Sequence, residues 1–220
     1  MPGLSFAYDF QNTLASRFTR IGEALESLVH MPCYSSRVLA MDSRFLLAYT
    51  GYPEYPVRIV PLPDHLVVVE GRILGLSEDE IAYEIKKLVS IIFSAEGRDE
   101  VRRWLMRTDG EFLIFVLRKQ TGDVAILSDV LGRLPCYFCN QEGVLLLSRE
   151  IRFVTSLITR HEYDVMAIAQ FLLFGYALGI RTFLKNVQRL PAAFLLVING
   201  KTGATSLTVL YTLNCEVKGH

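Results

Sequence analysis

The segment of residues 108–138 limits the fold of this chain more than any other part of the sequence. It contains two apolar runs, residues 112–117 and 124–127, separated by RKQTGD. Apolar runs of this length are typical of buried strands, and the Thr-Gly-Asp of the linker favours a tight turn. The segment therefore predicts an antiparallel β-hairpin. Gly132 and Pro135 permit a second tight reversal, which predicts a third strand from residue 136.

Amphipathic helices and further strands alternate along the rest of the chain. Apolar residues recur at helical spacing over residues 11–30, with Asn12 or Thr13 available as a cap. Ser77 and Glu80 form a capping box before a second helix. Four prolines within residues 53–63 predict a stiff, extended connection. We predict more helices at 99–106, 150–158 and after Asp164, a first strand ending near Asp9, two strands within 38–49, and strands at 66–69, 144–147, 194–198 and 206–211.

Composition limits the class of protein. Hydrophobic residues make up 51% of 220 residues, which indicates either a thick core or an apolar surface that meets a partner. We predict a single domain over residues 1–220, because no linker marks a boundary. The 23 basic and 23 acidic residues balance, so nucleic acid is not an expected partner. The longest apolar run, residues 165–180, is too short and too interrupted by glycine to span a membrane, and no signal segment opens the sequence, so we expect a cytoplasmic protein.

No metal or cofactor is predicted. The four cysteines are Cys33, Cys136, Cys139 and Cys215, and without a signal segment we expect them to be reduced. Cys136 and Cys139, with His30 and Cys33, have spacings that occur in zinc sites, but on a strand a spacing of three directs two thiols to opposite faces. The Gly-Lys-Thr at residues 200–202 lacks the preceding glycine of a phosphate loop and leads into a strand.

The sequence resembles the N-terminal, glutamine-hydrolysing domain of the asparagine synthetase family, a class II amidotransferase with an N-terminal-nucleophile fold. The resemblance covers about half of the chain in patches that keep the family's order. It implies an α+β fold with four layers, αββα, of mainly antiparallel sheets. The matching residues are Gly110, Phe112, Phe115, Asp129, Gly132, Pro135, Tyr137, Ser148, Glu150, Phe174, Gly175, Tyr176, Thr182, Phe183, Leu190 and Pro191; Ala192 and Ala193 depart from the family's Pro-Gly.

The residues that carry the family's chemistry do not match. The family begins Met-Cys-Gly, and after loss of Met the new amine is the general base for its own thiol. Here the sequence is Met1-Pro2-Gly3, and Pro2 has no thiol or hydroxyl. Removal of Met1 would instead expose a secondary amine at Pro2, which is a second, less favoured route to catalysis.

The family's Asn-Gly-Glu is replaced by Glu70-Gly71-Arg72. In the family, the Asn amide and the Gly N–H form the oxyanion hole, and the Glu holds the substrate ammonium. Glu70 would place a carboxylate where an oxyanion develops, and Arg72 reverses the sign at the ammonium position. Alternatively, Glu70 and Arg72 share a strand face and pair with each other or face solvent. Arg37 and Arg44 are the candidates for the family's carboxylate-binding arginine.

We therefore predict an inactive amidotransferase domain with no catalytic residue, in which Pro2, Gly3, Glu70, Gly71, Arg72 and Asp129 form a relict glutamine pocket. Its expected role is a scaffold or interaction module for an ATP-dependent amide-forming synthetase. The expected partner is a synthetase-type domain or a second copy of the chain. Two alternatives are an amidohydrolase with a displaced nucleophile, Cys33 (with His30 as base) or Ser5, and a small-molecule sensor that uses the relict pocket. The sequence stops at His220, where the family's synthetase domain would begin.

Overall fold

A computed structural model describes residues 2–11, 14, 18–141 and 143–212. The described residues form twelve strands and five helices. They divide into two compact units, Met1–Tyr55 with Pro135–Leu190, and Pro56–Leu134 with Pro191–His220. The chain thus passes from the first unit to the second, returns to the first, and enters the second again. The prediction of a single domain over residues 1–220 stays a prediction.

The first unit contains a six-stranded antiparallel sheet in the order β10-β8-β9-β1-β3-β2. Strand β1 is central and buried along its whole length, because it pairs with β9 on one side and β3 on the other. Apolar side chains of α1 and α4, among them Ile21, Leu25 and Phe153, pack with Leu46 and Leu146 of the sheet. The elements are β1 Gly3–Asp9, α1 Phe18–Glu26, β2 Ser35–Met41, β3 Phe45–Gly51, β8 Tyr137–Gln141, β9 Val144–Ser148, α4 Ile151–Leu157, α5 Val165–Phe174 and β10 Gln188–Arg189.

The second unit contains the other six-stranded antiparallel sheet, in the order β12-β11-β7-β6-β5-β4. Ile85 and Leu88 of α2 and Trp104 of α3 pack in one cluster with Val69 and Ile114 of the sheet. The elements are β4 Val57–Leu62, β5 His65–Ile73, α2 Glu78–Ile91, α3 Arg98–Arg107, β6 Gly110–Arg118, β7 Val124–Ser128, β11 Phe194–Ile198 and β12 Thr205–Val209.

The predicted hairpin is confirmed as β6 and β7, in antiparallel register from Leu117 opposite Val124 to Leu113 opposite Ser128. The predicted third strand is also confirmed, as β8, after the turn that Asp129 and Gly132 form. Strand β8 pairs with β9 and β10 in the sheet of the first unit. Turn residues show that the chain changes direction, whereas they do not determine which sheet receives the next strand.

Most other predicted elements are confirmed, with two differences in extent. The first helix covers Phe18–Glu26, shorter than residues 11–30, and the suggested caps Asn12 and Thr13 lie outside the described residues. The proline-rich connection contains a strand, β4, which includes Pro61. Proline is tolerated there because β4 is an edge strand and pairs only with β5.

The separate helices and antiparallel sheets give the predicted α+β class. Among the described helices, none has both the length and the apolar character needed to cross a membrane; the longest, α2, has 14 residues.

Candidate functional site

Pro2 and Gly3 lie where the chain enters the central strand of the first unit. The half-buried Pro2 precedes β1, and its carbonyl oxygen accepts a hydrogen bond of 3.4 Å from the Tyr55 hydroxyl. Gly3 pairs with Thr50 of β3. The carbonyl of Leu4 accepts a hydrogen bond of 3.0 Å from the backbone N–H of Arg149. The start of β1 is therefore held by contacts on both sides.

Ser5 is not accessible to a substrate. Its hydroxyl lies 2.9 Å from the Ser148 hydroxyl, and both residues are fully buried. Ser148 also accepts a hydrogen bond of 3.0 Å from the backbone N–H of Glu150. These bonds give Ser5 a structural role in joining β1 to β9, and they argue against it as a displaced nucleophile.

Thr50, the partner of Gly3 in the sheet, has a fully buried hydroxyl that makes no hydrogen bond within the described part of the chain. A buried hydroxyl without a partner costs stability, because it loses its hydrogen bonds to water and gains none in return. No sequence signal marks this position, since Thr50 stands in an ordinary apolar strand.

His30 and Cys33, the alternative base and nucleophile, are both exposed in the loop before β2. His30 makes an edge-to-face contact with Tyr34, with ring centroids 5.2 Å apart, and its Nδ1 lies 2.8 Å from the Leu28 carbonyl oxygen. A carbonyl can only accept, so Nδ1 carries the proton and donates it there. Cys33 is exposed. The hydrogen bonds described for His30 do not include Cys33, so this pair gains no geometric support.

The two candidate arginines lie at opposite ends of the first sheet. Arg37 of β2 is opposite Tyr49, which pairs with Leu4 near the start of β1. Arg44 lies at the other end, where its carbonyl accepts a hydrogen bond of 2.7 Å from the N–H of Asp9. Since β1 has seven residues, roughly 20 Å of strand separates the two ends. Only Arg37 lies at the end that carries Pro2.

Glu70, Gly71 and Arg72 belong to β5 in the second unit. Glu70 is fully buried, whereas Arg72 is exposed, so the alternative that both side chains face solvent is wrong for Glu70, and their pairing with each other stays a prediction. Between them, Gly71 has a φ of 89°, an irregularity in the extended backbone of β5. Nothing in the residue order Glu-Gly-Arg distinguishes a regular strand from one with this irregularity.

The backbones of β5 and β6 approach closely at this irregularity. A Cβ atom built on Gly71 would overlap the carbonyl oxygen of Glu111, and one built on Gly110 would overlap the carbonyl oxygen of Arg72. Because each glycine lacks a Cβ, each strand leaves room for the backbone of the other at this point. Gly110 is one of the residues matched by resemblance, and its role here is to shape backbone.

Asp129 fixes the turn after β7. Its backbone N–H donates to Phe112, the residue opposite Gly71, at 3.0 Å. Its carboxylate accepts hydrogen bonds from the N–H groups of Leu131 at 2.9 Å and Arg133 at 3.0 Å. A buried carboxylate that accepts two local backbone bonds is typical of a turn-stabilising residue. Asp129 thus lies near Gly71 but uses its side chain for the turn.

Ala193, which departs from the Pro-Gly of the resembled family, has an unusual backbone conformation. Ala193 has a φ of 52°, in the left-handed region, at the position where the resembled family has glycine. Its N–H donates to the Asp129 carbonyl at 3.1 Å, which ties β11 to the same turn. An alanine in this region has strained backbone, whereas glycine has none.

Two of the described cysteines lie in the interior of the protein. Cys136 and Cys139 are both buried, and desolvation raises the pKa of the Cys139 thiol to about 11. Over the described ranges, which omit Cys215, no three His, Cys, Asp or Glu side chains lie close enough to hold a metal ion.

Each unit thus brings together its own part of the predicted pocket. Glu70, Gly71, Arg72 and Asp129 surround the β5–β6 pair of the second unit, and Pro2 and Gly3 open β1 of the first. Sequence reasoning missed Thr50 and Tyr55 beside Pro2, and Arg133, whose guanidinium donates to the Gly110 carbonyl at 2.6 Å.

Two solved structures are similar to this chain. One, described as the allosteric regulatory enzyme of purine biosynthesis, matches 96% of this chain and 49% of its own at 12% identity and a TM-score of 0.51. Another is a glutamine phosphoribosylpyrophosphate amidotransferase from B. subtilis complexed with ADP and GMP, at 12% identity, 96% and 50% coverage and a TM-score of 0.49. The chain spans about half the length of these proteins. No curated protein matches the sequence.

The first match supports the predicted fold, that of the N-terminal-nucleophile hydrolases. A family model described as a glutamine amidotransferase domain matches residues 92–209, which is more than half of the chain. The chain therefore belongs to the glutamine amidotransferase domain family.

Proposed function

We propose that this chain is an asparagine-synthetase-like glutamine amidotransferase domain that does not hydrolyse glutamine and acts as a scaffold or interaction module. The observation that carries the proposal is Pro2, which stands immediately before the central strand β1. In the resembled family this position holds the nucleophilic cysteine. A proline side chain has no lone pair to attack an amide carbonyl, and its position is fixed through the hydrogen bond from Tyr55 to its carbonyl oxygen.

The second unit supports the same proposal. The buried Glu70 next to Gly71 stands where the resembled family has an amide donor. A carboxylate at this position would raise the energy of a developing oxyanion, because both groups carry negative charge. The exposed Arg72 would in turn repel the substrate ammonium that the family holds with a glutamate. Gly71, by contrast, is retained for the backbone reason described above.

A displaced nucleophile is the competing function. The burial and hydrogen bond of Ser5, and the engagement of His30 Nδ1 with the Leu28 carbonyl, weigh against it. We propose the partner as a synthetase-type domain or a second copy of the chain.

The test is release of glutamate and ammonia from glutamine by the purified protein, before and after thiol alkylation. We expect no turnover above buffer for the wild type, and none for Pro2→Cys, because Glu70 and Arg72 remain. Cys33→Ser is the matched control for the displaced nucleophile. Wild-type turnover that alkylation or Cys33→Ser abolishes would refute the proposal and favour the amidohydrolase. Turnover restored by Pro2→Cys alone would refute the inference from Glu70 and Arg72.

A further inference from the structure

Helix α5 of the first unit is apolar on all its faces. Its sequence, VMAIAQFLLF, has one polar side chain, Gln170, whose Oε1 accepts a hydrogen bond of 3.0 Å from the N–H of Leu178. Only Ala167 of this helix is buried. A helix that is apolar all round is normally buried on several sides, so this exposure calls for a physical explanation.

Several large apolar side chains of α5 are exposed. Leu172 is 78% exposed, Leu173 is 76% and Val165 is 74%. The following segment continues the surface, because the ring of Phe171 lies 5.2 Å from that of Phe183, and Tyr176 is also exposed. We name the exposed apolar side chains of residues 165–174 and 176–183 the α5 surface.

The size of the α5 surface matches that of a stable interface. Its side chains expose on the order of 1,000 Å² of apolar area. The largest apolar patch of a typical monomer is about 300–600 Å². A stable protein interface buries about 800 Å² on each partner. The α5 surface therefore exceeds what a monomer usually leaves in water and suffices for one complete interface.

The helix that carries this surface is fixed at both ends. Asp164 caps its start by accepting a hydrogen bond of 3.1 Å from the N–H of Ala167, and Gly175 ends it in the left-handed conformation. Such capping reduces the ordering that a partner would have to impose.

The charged residues beside the α5 surface do not favour a partner other than a second copy of the chain. The flanking charges, Arg181 and Asp164, pair with each other at 2.6 Å. Without an unpaired charge at its centre, an apolar surface is complementary to an identical surface, because burial of apolar area has no direction. A twofold axis brings the same patch of two copies together, and twofold dimers are the commonest oligomers.

We propose that a second copy of this chain packs on the α5 surface to form an isologous dimer. This inference deepens the proposed role as an interaction module and rests on it for its biological meaning. Its test does not measure glutamine hydrolysis, so the failure of either proposal is recognised independently.

The test compares the mass in solution of the wild type and of Leu172→Gln/Leu173→Gln by light scattering and sedimentation across micromolar concentrations. We expect a dimer for the wild type and a dissociation constant raised at least about a hundredfold for the double variant, because a symmetric dimer loses each leucine twice. Met106→Gln is the matched control: this apolar residue is 48% exposed on α3, outside the α5 surface, and its variant should remain dimeric.

Cross-linking provides a second measurement. In a background of Cys33→Ser and Cys215→Ser, single cysteines replace Val165, Leu172 or Tyr176. We expect at least one of them to form a disulfide-linked dimer on oxidation, whereas Met106→Cys should not.

A monomeric wild type would overturn the inference, as would a double variant that dimerises as well as the wild type, or cross-linking at Met106→Cys alone. A monomer that floats with lipid vesicles through Leu172 and Leu173 would also overturn it and assign the surface to a membrane interface.

Discussion

Replacement of Gly71 by alanine should destabilise the protein far more than the same change at Gly75. Both glycines have positive φ angles, 89° and 75°. Left-handed backbone costs an L-residue about 1–2 kcal/mol. Alanine also restricts the unfolded chain more than glycine does, and this effect offsets about 0.4–1 kcal/mol of that cost. At Gly75 the new Cβ would meet nothing within 4 Å. Gly75→Ala should therefore lower the free energy of unfolding by only about 0.5–1 kcal/mol.

Gly71→Ala adds a collision with the β6 backbone. The new Cβ would overlap the Glu111 carbonyl oxygen and lie 3.1 Å from Cδ1 of Leu134. A backbone carbonyl in a paired strand can yield only if the strand moves. Overpacking of this kind costs about 1–3 kcal/mol, and each disturbed β5–β6 hydrogen bond costs about 1 kcal/mol more. We expect a total of about 3–5 kcal/mol, a large part of the usual stability of a domain.

The assay is urea unfolding followed by circular dichroism, with the free energy of unfolding extrapolated to water for the wild type and both variants. Gly75→Ala is the control, because it has a similar φ but no neighbour. Free energies within about 1 kcal/mol of each other for the two variants would refute the reasoning, since the close approach of β5 and β6 would then have no energetic consequence.

Two further perturbations test single side chains. Thr50→Val removes the buried hydroxyl without a partner and keeps its shape, so it should raise the free energy of unfolding by about 1 kcal/mol; a decrease in urea unfolding would contradict this. Burial by itself would raise the pKa of the Asp123 carboxyl, but hydrogen bonds from Thr121 and Gly200 outweigh burial, so this pKa is lowered. The ionised Asp123 carboxylate therefore stabilises the folded protein at pH values above its ordinary pKa. This stabilisation is lost as the pH falls through the lowered pKa of the folded state. Asp123→Asn should cost about 1–2 kcal/mol near neutral pH and less near pH 3, and a difference independent of pH would contradict the assignment.

Local features of the sequence predicted local structure well. The capping box at Ser77 forms as expected, with the Ser77 side chain accepting from the Glu80 N–H and the Glu80 side chain accepting from the Ser77 N–H. The hairpin of β6 and β7 forms because its turn and its two apolar runs are adjacent in sequence. These elements depend on interactions between near neighbours, so the residues that specify them can be read in order.

Contacts between residues far apart in the sequence could not be predicted in this way. The turn at Asp129 was visible, but the pairing of β8 with β9 in the first unit was not. Glu70 and Arg72 looked equivalent in the sequence, yet one is buried and the other exposed, as are Leu113 and Glu111 opposite them on β6, so position in the sheet separates them. Arg37 and Arg44 were likewise distinguished only by strand register.

The sequence by itself determined that the side chain of Pro2 carries no thiol or hydroxyl, whatever its surroundings. It also determined the family's backbone-shaping residues, because Gly110 and Asp129 act through their own conformations and nearby hydrogen bonds. Only the tertiary structure decided that Ser5 is inaccessible and that α5 remains exposed despite its apolar sequence. Burial depends on what the rest of the chain covers, and apolar residues in a helix indicate that a surface needs a partner without indicating whether the same chain supplies it.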